Sequence, residues 1–251
     1  MIETIARPWR GSMPLNPRTA LSDLIARVFS APFAKVFSSP IASPGAAAAA
    51  VSWWLSGGIA AANCTLAFDA KNATSFATSL ANLANPAAPI SNVTTPTWAA
   101  GTGWTGNGTN MCLNSNQHLL IAGSMIVRYA NATSSSVTEC CLGIGYAELW
   151  TCWSAIAYRG ISVHSTSIST SAITAAGTLA GAGNRTFFDG VFKDAKPQNG
   201  GNETDNLYIL AENAGWGVRF YSLSTVVAGA VYNITLSDAQ ISAIHTAIML
   251  L

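Results

Sequence analysis

Few side chains in this sequence are spaced so that they could do chemistry together. The 251 residues include only eleven Asp and Glu and three His. Hydrolysis of a glycosidic bond needs two carboxyl groups roughly 5–10 Å apart, which on one strand means acids two or four residues apart in sequence. Glu139 and Glu148 are further apart than that, and we find no such pair on any expected strand. We therefore predict that the protein is not an enzyme and has no catalytic residue.

One stretch could hold a metal ion. Glu203 and Asp205 lie in a run of Gly, Asn and Thr that is typical of a surface loop. Carboxylate, amide and backbone oxygens are the ligands that Ca²⁺ prefers, but the spacing matches no EF-hand loop. A calcium site at these two acids and a solvated turn without metal both stay open. The sequence contains no nucleophile elbow and no phosphate-binding Gly-Lys-Ser/Thr loop, so we predict no other cofactor.

Tryptophans are the other candidate binding residues, because an aromatic ring packs well against the apolar face of a sugar. In a sandwich of short strands, tryptophan more often fills the core. Trp216 lies between Gly215 and Gly217 and is the one that we expect to be exposed. It is the candidate glycan-binding residue, and the tryptophans considered with it are Trp98, Trp104, Trp150 and Trp153.

Composition and charge exclude several functions. Only 9% of the residues are charged, against about a quarter in typical soluble domains, which suits a protein packed in an assembly. The net charge of +1 gives no reason to expect nucleic-acid binding. No apolar run approaches the roughly 20 residues that a membrane-spanning helix needs, and we expect no membrane span. We also expect no secretory signal peptide, because no apolar run follows the arginines near the N-terminus.

The cysteines indicate thiols rather than a disulfide framework. Their number, five, is odd, and a chain of this length does not need disulfides to fold. Cys140 and Cys141 are neighbours and would point to opposite faces of a strand. We predict buried, reduced thiols, with one disulfide involving Cys152 as the alternative.

Residues 1–51 differ from the rest of the chain and are predicted to form an extended N-terminal arm. Residues 1–50 carry a net charge of +3 and a short repeat in which a cation, a Val-Phe pair and a proline recur. This segment cannot bury its own apolar residues, and disordered tails are usually poor in large apolar residues. We therefore expect it to dock on a neighbouring subunit through Arg27, Phe29, Phe33, Lys35 and Phe37.

Residues 52–251 read as one β-rich domain that ends in a helix. Short runs of β-branched and aromatic residues alternate with Gly, Asn, Ser and Pro, which is typical of a two-sheet sandwich. Asp189-Gly190 is expected to form a hairpin turn. At the end of the chain, Ser237 and Gln240 have the spacing of a capping box, and three isoleucines follow on one helix face: Ile241, Ile244 and Ile248.

Three blocks of this domain resemble a known family. Trp53-Trp-Leu-Ser-Gly-Gly-Ile, Pro96-Thr-Trp-Ala-Ala-Gly-Thr-Gly-Trp-Thr-Gly-Asn-Gly and Val231-Tyr-Asn-Ile-Thr-Leu-Ser-Asp-Ala-Gln-Ile are similar to the concanavalin A-like (laminin-G-type) jelly-roll proteins of bacteriophage structural genes. The closing block is the most specific of the three. The resemblance covers about residues 52–251 and implies an all-β, two-sheet antiparallel jelly-roll sandwich.

The resemblance also implies a function. It indicates a non-enzymatic virion protein, a capsid or tail appendage that is exposed on the particle and often has a carbohydrate-binding role. Its partners would be other virion proteins, reached through residues 1–50, further copies of the chain in a homo-oligomer, and host polysaccharide. The alternative hypothesis is a free or cell-surface carbohydrate-binding module or adhesin. A glycoside hydrolase is the third hypothesis.

Overall fold

The computed structural model describes residues 52–132, 137–152, 158–163, 165, 167–198 and 202–251. The predicted arm, including Arg27, Phe29, Phe33, Lys35 and Phe37, lies outside the described residues. Two short 3-10 turns open the described chain, Trp53–Leu55 and Ala61–Asn63. The two α-helices are α1 (Phe76–Ser79) and α2 (Asp238–Met249).

The described strands number seventeen. In chain order they are β1 (Cys64–Asp69), β2 (Ser91–Thr94), β3 (Thr97–Ala99), β4 (Gly103–Thr105), β5 (Cys112–Asn114), β6 (Ser124–Ala130), β7 (Glu139–Ile144), β8 (Ala147–Cys152), β9 (Tyr158–Val163), β10 (Ser169–Ala172), β11 (Gly177–Ala182), β12 (Arg185–Phe188), β13 (Val191–Ala195), β14 (Tyr208–Ile209), β15 (Glu212–Asn213), β16 (Val218–Arg219) and β17 (Thr225–Tyr232).

These strands form two sheets. The eight-stranded sheet has the order β13-β12-β11-β6-β17-β4-β3, and β1 also pairs with β17. The nine-stranded sheet has the order β10-β9-β8-β7-β14-β5-β2, and β15 pairs with both β7 and β16. The pairings are antiparallel except for β15 with β7. The predicted two-sheet antiparallel jelly-roll sandwich is confirmed.

The main core lies between the sheets and follows from the two-residue period of the strands. Alternate residues of the eight-stranded sheet, such as Phe68, Val127 and Leu179, point inward and pack with Leu142 and Leu149 of the nine-stranded sheet. All five side chains are fully buried. The intervening residues of each strand therefore point to the outer faces of the sandwich, where a binding site can form.

Helix α2 covers the outer face of the eight-stranded sheet. Ser237 accepts a hydrogen bond from the backbone of Gln240, whose side chain accepts one in return from the backbone of Ser237, so the predicted capping box is present. The three isoleucines of the predicted stripe are buried in a second cluster with Ile126 and Ala228 of the sheet. The predicted C-terminal helix is confirmed, and it occupies one face of the sandwich.

The predicted hairpin turn is also confirmed. Asp189 and Gly190 have φ values of 52° and 76°, the left-handed conformations that a tight type I′ hairpin turn between β12 and β13 requires. The Asp189 carboxylate stabilises the turn. Its Oδ1 accepts a hydrogen bond from the backbone N–H of Thr178 at 2.9 Å, and its Oδ2 forms an ion pair with Arg159 at 2.8 Å.

The cysteines are all in the described part of the chain, and all five are buried with free thiols. Cys141 packs in the core between the sheets, while Cys140 is close to Glu148 and Glu212 on the other side of β7. The two neighbours therefore face opposite ways, as predicted. None of the described helices is long and apolar enough to span a bilayer.

Candidate functional site

The candidate site is a groove on the outer face of the nine-stranded sheet. Two adjoining cavities of about 300 Å³ and 280 Å³ share Gly145, Tyr146 and Arg219 in their walls. Because Leu149 of β8 points into the core, its neighbours Glu148 and Trp150 point outward, into the wall of the first cavity. We call the two cavities together the β7–β8 groove.

Two carboxyl groups meet in this groove although they come from different strands. Glu148 on β8 and Glu212 on β15 are both in register with Gly143 on β7, one on each side. Residues in register point to the same face of a sheet, and Gly143 has no side chain between the two acids. A Cβ atom built there would lie 2.5 Å from Cys140 Sγ and 3.2 Å from the Cα of Glu212. The glycine therefore makes room for Glu212 and for Cys140 beneath the pair.

Glu212 is held by an arginine. Arg219 Nε donates to Glu212 Oε2 at 2.9 Å, and its Nη2 donates to Oε1 at 2.8 Å. This is the two-bond geometry that matches a guanidinium to a carboxylate. The Glu212 side chain is fully buried, whereas 39% of the Arg219 side chain is exposed. The arginine therefore shields a buried negative charge while one side of its own guanidinium faces the groove.

Glu148 is a neutral acid at physiological pH. Only 6% of the Glu148 surface is exposed. Burial is the largest cause that raises the pKa of Glu148 to about 10, and its hydrogen bond and charge interaction with Glu212 act in the same direction. The positive charge of Arg219 opposes the shift only in part. Glu148 therefore keeps its proton and can donate it to the neighbouring carboxylate, as one of two carboxyl groups that share a site.

The backbone around this pair is strained. Leu210, two residues before Glu212, has a φ of 67°, and Phe220, directly after Arg219, has a φ of 54°. Bulky side chains rarely adopt such left-handed conformations, and each costs about 1–3 kcal/mol. Hydrogen bonds hold both residues in place, from Leu210 N to Cys141 O and from Cys140 N to Phe220 O. Strain of this kind clusters at functional sites.

Aromatic rings form the rim of the groove. Trp216, at the turn between β15 and β16, is 79% exposed, and Tyr146 is 54% exposed. The Arg219 guanidinium lies 5.4 Å from the Trp216 ring centroid and 4.7 Å from that of Phe220. The prediction that Trp216 is the exposed tryptophan is confirmed. Of the tryptophans considered with it, Trp104 and Trp150 are buried and Trp98 packs against the core. Trp153 lies outside the described residues.

Glu203 and Asp205, the predicted metal ligands, lie in the wall of the second cavity together with Glu212. Burial raises the pKa of Glu203, and the charge of Asp205 adds to the shift. Glu203 Oε1 accepts a weak hydrogen bond of 3.4 Å from the backbone of Tyr146. Within the described residues no three His, Cys, Asp or Glu side chains are grouped closely enough to hold a metal ion. Calcium at Glu203 and Asp205 stays a prediction.

Comparison with known proteins finds solved structures of similar fold and no sequence relatives. No protein-family model and no curated protein sequence matches the chain. The sialidase of Trypanosoma rangeli in complex with sialic acid matches with a TM-score of 0.51 and 12% identity, over 73% of this chain and 33% of that chain. A mutant of this sialidase that displays trans-sialidase activity gives a TM-score of 0.53 at 12% identity, over 75% and 34%. The binding domain of botulinum neurotoxin serotype D gives 0.49 at 9% identity, over 74% and 52%.

The fold is a lectin-like β-sandwich. At an identity of 12%, the likeness to the two sialidase structures shows the fold and carries no activity over. The chain spans about a third of the length of the sialidases. None of the three is a bacteriophage protein, so the phage assignment gains no support from them.

The prediction that the protein is not an enzyme is wrong. It rested on the lack of two acids at strand spacing, but Glu148 and Glu212 come together from strands that are remote in sequence. The structures that share the fold also include sialidases, which are enzymes. Sequence spacing missed the pair because a third strand brings the two acids into register. The signals that it did offer were the two glutamates themselves and a glycine within a buried strand.

Proposed function

We propose that this lectin-like sandwich binds a glycan in the β7–β8 groove. The observation that carries the proposal is the exposed ring of Trp216 at the rim of a groove whose walls carry ionised and neutral hydrogen-bonding groups. Sugar rings present apolar C–H faces that pack on aromatic rings. Their hydroxyl groups would pair with Arg219, Glu148 and Ser162, which are among the polar residues that line the first cavity.

The first test is a glycan array probed with the full chain, followed by calorimetry with a glycan that binds. Trp216→Ala is expected to weaken binding at least tenfold, because it removes the stacking surface and leaves the groove walls in place. Tyr158→Ala is the matched control, since Tyr158 is also an exposed aromatic residue, at 46%, and lines neither cavity of the groove. Absence of any binding glycan, or equal loss in both variants, would contradict the proposal.

Hydrolysis of the bound glycan is a second candidate, favoured by one observation. Glu148, whose pKa is raised, lies beside Glu212, the partner of Arg219, in the wall of the same groove. Glycosidases hold their two carboxyl groups about 5 Å or more apart, so the hydrogen-bonded pair would have to separate around the substrate. The same titrations, assayed for new reducing ends with the wild type and with Glu148→Gln, distinguish binding alone from cleavage.

We also propose that residues 1–50 attach the sandwich to a virus particle as an exposed appendage, where it would be present in several copies and would contact host polysaccharide. The resemblance of the three sequence blocks to bacteriophage structural proteins supports this proposal. So does the composition of the arm, with its cations and repeated Val-Phe pairs. A free or cell-surface adhesin would use the same groove without a particle.

Deletion of residues 1–45 is expected to abolish incorporation into particles and to leave glycan binding unchanged. The physical reason is that the arm, in this proposal, supplies the apolar anchor, whereas the groove lies wholly in the sandwich. Co-sedimentation of the truncated chain with particles is the measurement. The quintuple substitution of Arg27, Phe29, Phe33, Lys35 and Phe37 by Ser in the full-length chain is the control for length alone. Normal incorporation of the truncated chain would rule out the anchoring role.

A further inference from the structure

Two cations at the eight-stranded sheet have no carboxylate partner among the described residues. The seven Lys and Arg after residue 51 are all described. Four of them form ion pairs: Arg159, Arg185, Lys196 and Arg219. Of the remaining three, Lys193 is exposed on the edge strand β13, where water solvates it. Lys71 and Arg128 are half-buried, and no described carboxylate lies within 4 Å of either.

Both of these half-buried cations line one cavity. It has a volume of about 260 Å³ and lies beside β6 and β17 of the eight-stranded sheet. No acidic side chain is among its lining residues. Thr102 and Asn131 add a hydroxyl and an amide to the wall. Partly buried charges are normally paired, and here two of one sign converge on the same space.

The shape of the cavity is set by rigid parts of the fold. Arg128 Nη1 donates to the carbonyl of Ile248 near the end of helix α2 at 3.0 Å, which orients the guanidinium. That bond uses one of five N–H donors. Gly101, at the tip of the β3–β4 hairpin, donates its backbone N–H to Lys71 O at 2.8 Å, which fixes the chain on which Lys71 is carried. The Arg128 guanidinium and the Lys71 backbone are therefore each held by a backbone contact with a different element.

The acid in register with Arg128, Asp69, forms no ion pair with Arg128 or Lys71. Asp69 on β1 lies across Ala228 of β17 from Arg128. Its two carboxylate oxygens accept hydrogen bonds from Asn72, from the backbone N at 3.1 Å and from Nδ2 at 2.8 Å. Asp69 is not part of the cavity wall. The residues of the cavity wall therefore carry a net positive charge.

We propose that this cavity binds a phosphate group carried on a small polyol or sugar. An arginine and a lysine that converge from two sides, with a hydroxyl and an amide beside them, match the charge and the acceptor oxygens of phosphate. Phosphate carries most of a second negative charge near pH 7. The cavity is larger than one phosphate ion, which leaves space for the group that carries it. The site lies on the opposite sheet from the β7–β8 groove and does not depend on glycan binding there.

The test is titration of the ¹⁵N-labelled full chain with inorganic phosphate and with glycerol 3-phosphate, at constant ionic strength set with sodium chloride. We expect saturable shifts of the Gly101, Thr102 and Asn131 amide signals, with a Kd of about 1 mM or lower. Lys71→Gln and Arg128→Gln are each expected to weaken binding about tenfold, since each removes a charge-assisted contact. Tighter binding of glycerol 3-phosphate would identify an organic phosphate, and equal affinities would identify the free ion.

Lys193→Gln is the matched control, because it removes the same charge from the protein at an exposed position outside the cavity. Its affinity for phosphate is expected to equal that of the wild type. Lys71→Gln also keeps the test valid if Arg128→Gln loosens the end of helix α2. No shift at about 20 mM phosphate, or shifts that neither cavity variant reduces, would overturn the proposal.

Discussion

Replacing Glu148 with Gln is expected to stabilise the protein, and by more as the pH rises. The pKa of Glu148 is raised to about 10 in the folded state, whereas an unfolded Glu titrates near 4.3. Between these values the folded chain holds a proton that the unfolded chain has released. Stability is therefore lost as the pH increases through this range. A glutamine side chain at this position has no proton to lose and can still donate a hydrogen bond to Glu212.

The effect on stability is large because the two pKa values of Glu148, in the unfolded and the folded chain, are far apart. This one group lowers the free energy of unfolding of the wild type by roughly 1 kcal/mol per pH unit in the pH range between them. The Gln variant lacks this contribution, so the difference between the two proteins grows to several kcal/mol at the alkaline end. Urea unfolding at a series of pH values measures both slopes.

The control for the Glu148 substitution is Asp205→Asn. It makes the same carboxyl-to-amide change at an exposed position in the second cavity of the groove. Its stability is expected to follow the wild-type pH dependence. If the Glu148→Gln variant showed the same slope as the wild type, the neutral acid in the groove would be disproved.

Arg219→Met is expected to destabilise the protein by about 3 kcal/mol at neutral pH. The change leaves the fully buried Glu212 carboxylate without the partner that donates to both of its oxygens. The value is placed at the lower end for a broken buried pair because 39% of the Arg219 side chain is exposed and solvent screens part of the attraction. Chemical denaturation of both proteins at pH 7 measures the loss.

A double-mutant cycle shows whether the loss comes from the stranded charge. Adding Glu212→Gln to Arg219→Met removes the uncompensated carboxylate, and most of the lost stability should return. Additive effects of the two substitutions would mean that Arg219 acts through packing on Trp216 and Phe220 instead. Lys196→Met, which breaks an ion pair with the partly exposed Asp194, is expected to cost less than about 1 kcal/mol.

The elements that the sequence predicts well are those whose signals are local. The capping box at Ser237, the isoleucine stripe of α2 and the Asp189-Gly190 turn each depend on residues within a few positions of one another, and all three are present. The exposure of Trp216 also follows from its two flanking glycines. The two-sheet sandwich follows from the repeated alternation of short strands and turns.

The groove could not be predicted in this way. Glu148 and Glu212 meet only because β15 and β8 flank β7, and strand order is a property of the whole chain. Glu148 differs from an ordinary surface glutamate only in its burial. The alternation of inward and outward residues along a strand predicts that Glu148 points outward, but it does not predict that the outward side chain is buried. The pairing of Arg219 with Glu212 depends in addition on left-handed backbone at Leu210 and Phe220, which sequence patterns do not predict for leucine and phenylalanine.

Gly143 gives the groove an evolutionary constraint of an unusual kind. The residue has no side chain with which to touch a ligand, yet its substitution would clash with Cys140 and displace Glu212 from its place across β7 from Glu148. Selection on Glu148 and Glu212 therefore acts on Gly143 as well, and the three positions should be inherited as a unit. A lineage that replaced the glycine would be released from keeping either glutamate, so the loss of this site would begin in the middle strand rather than at the acids.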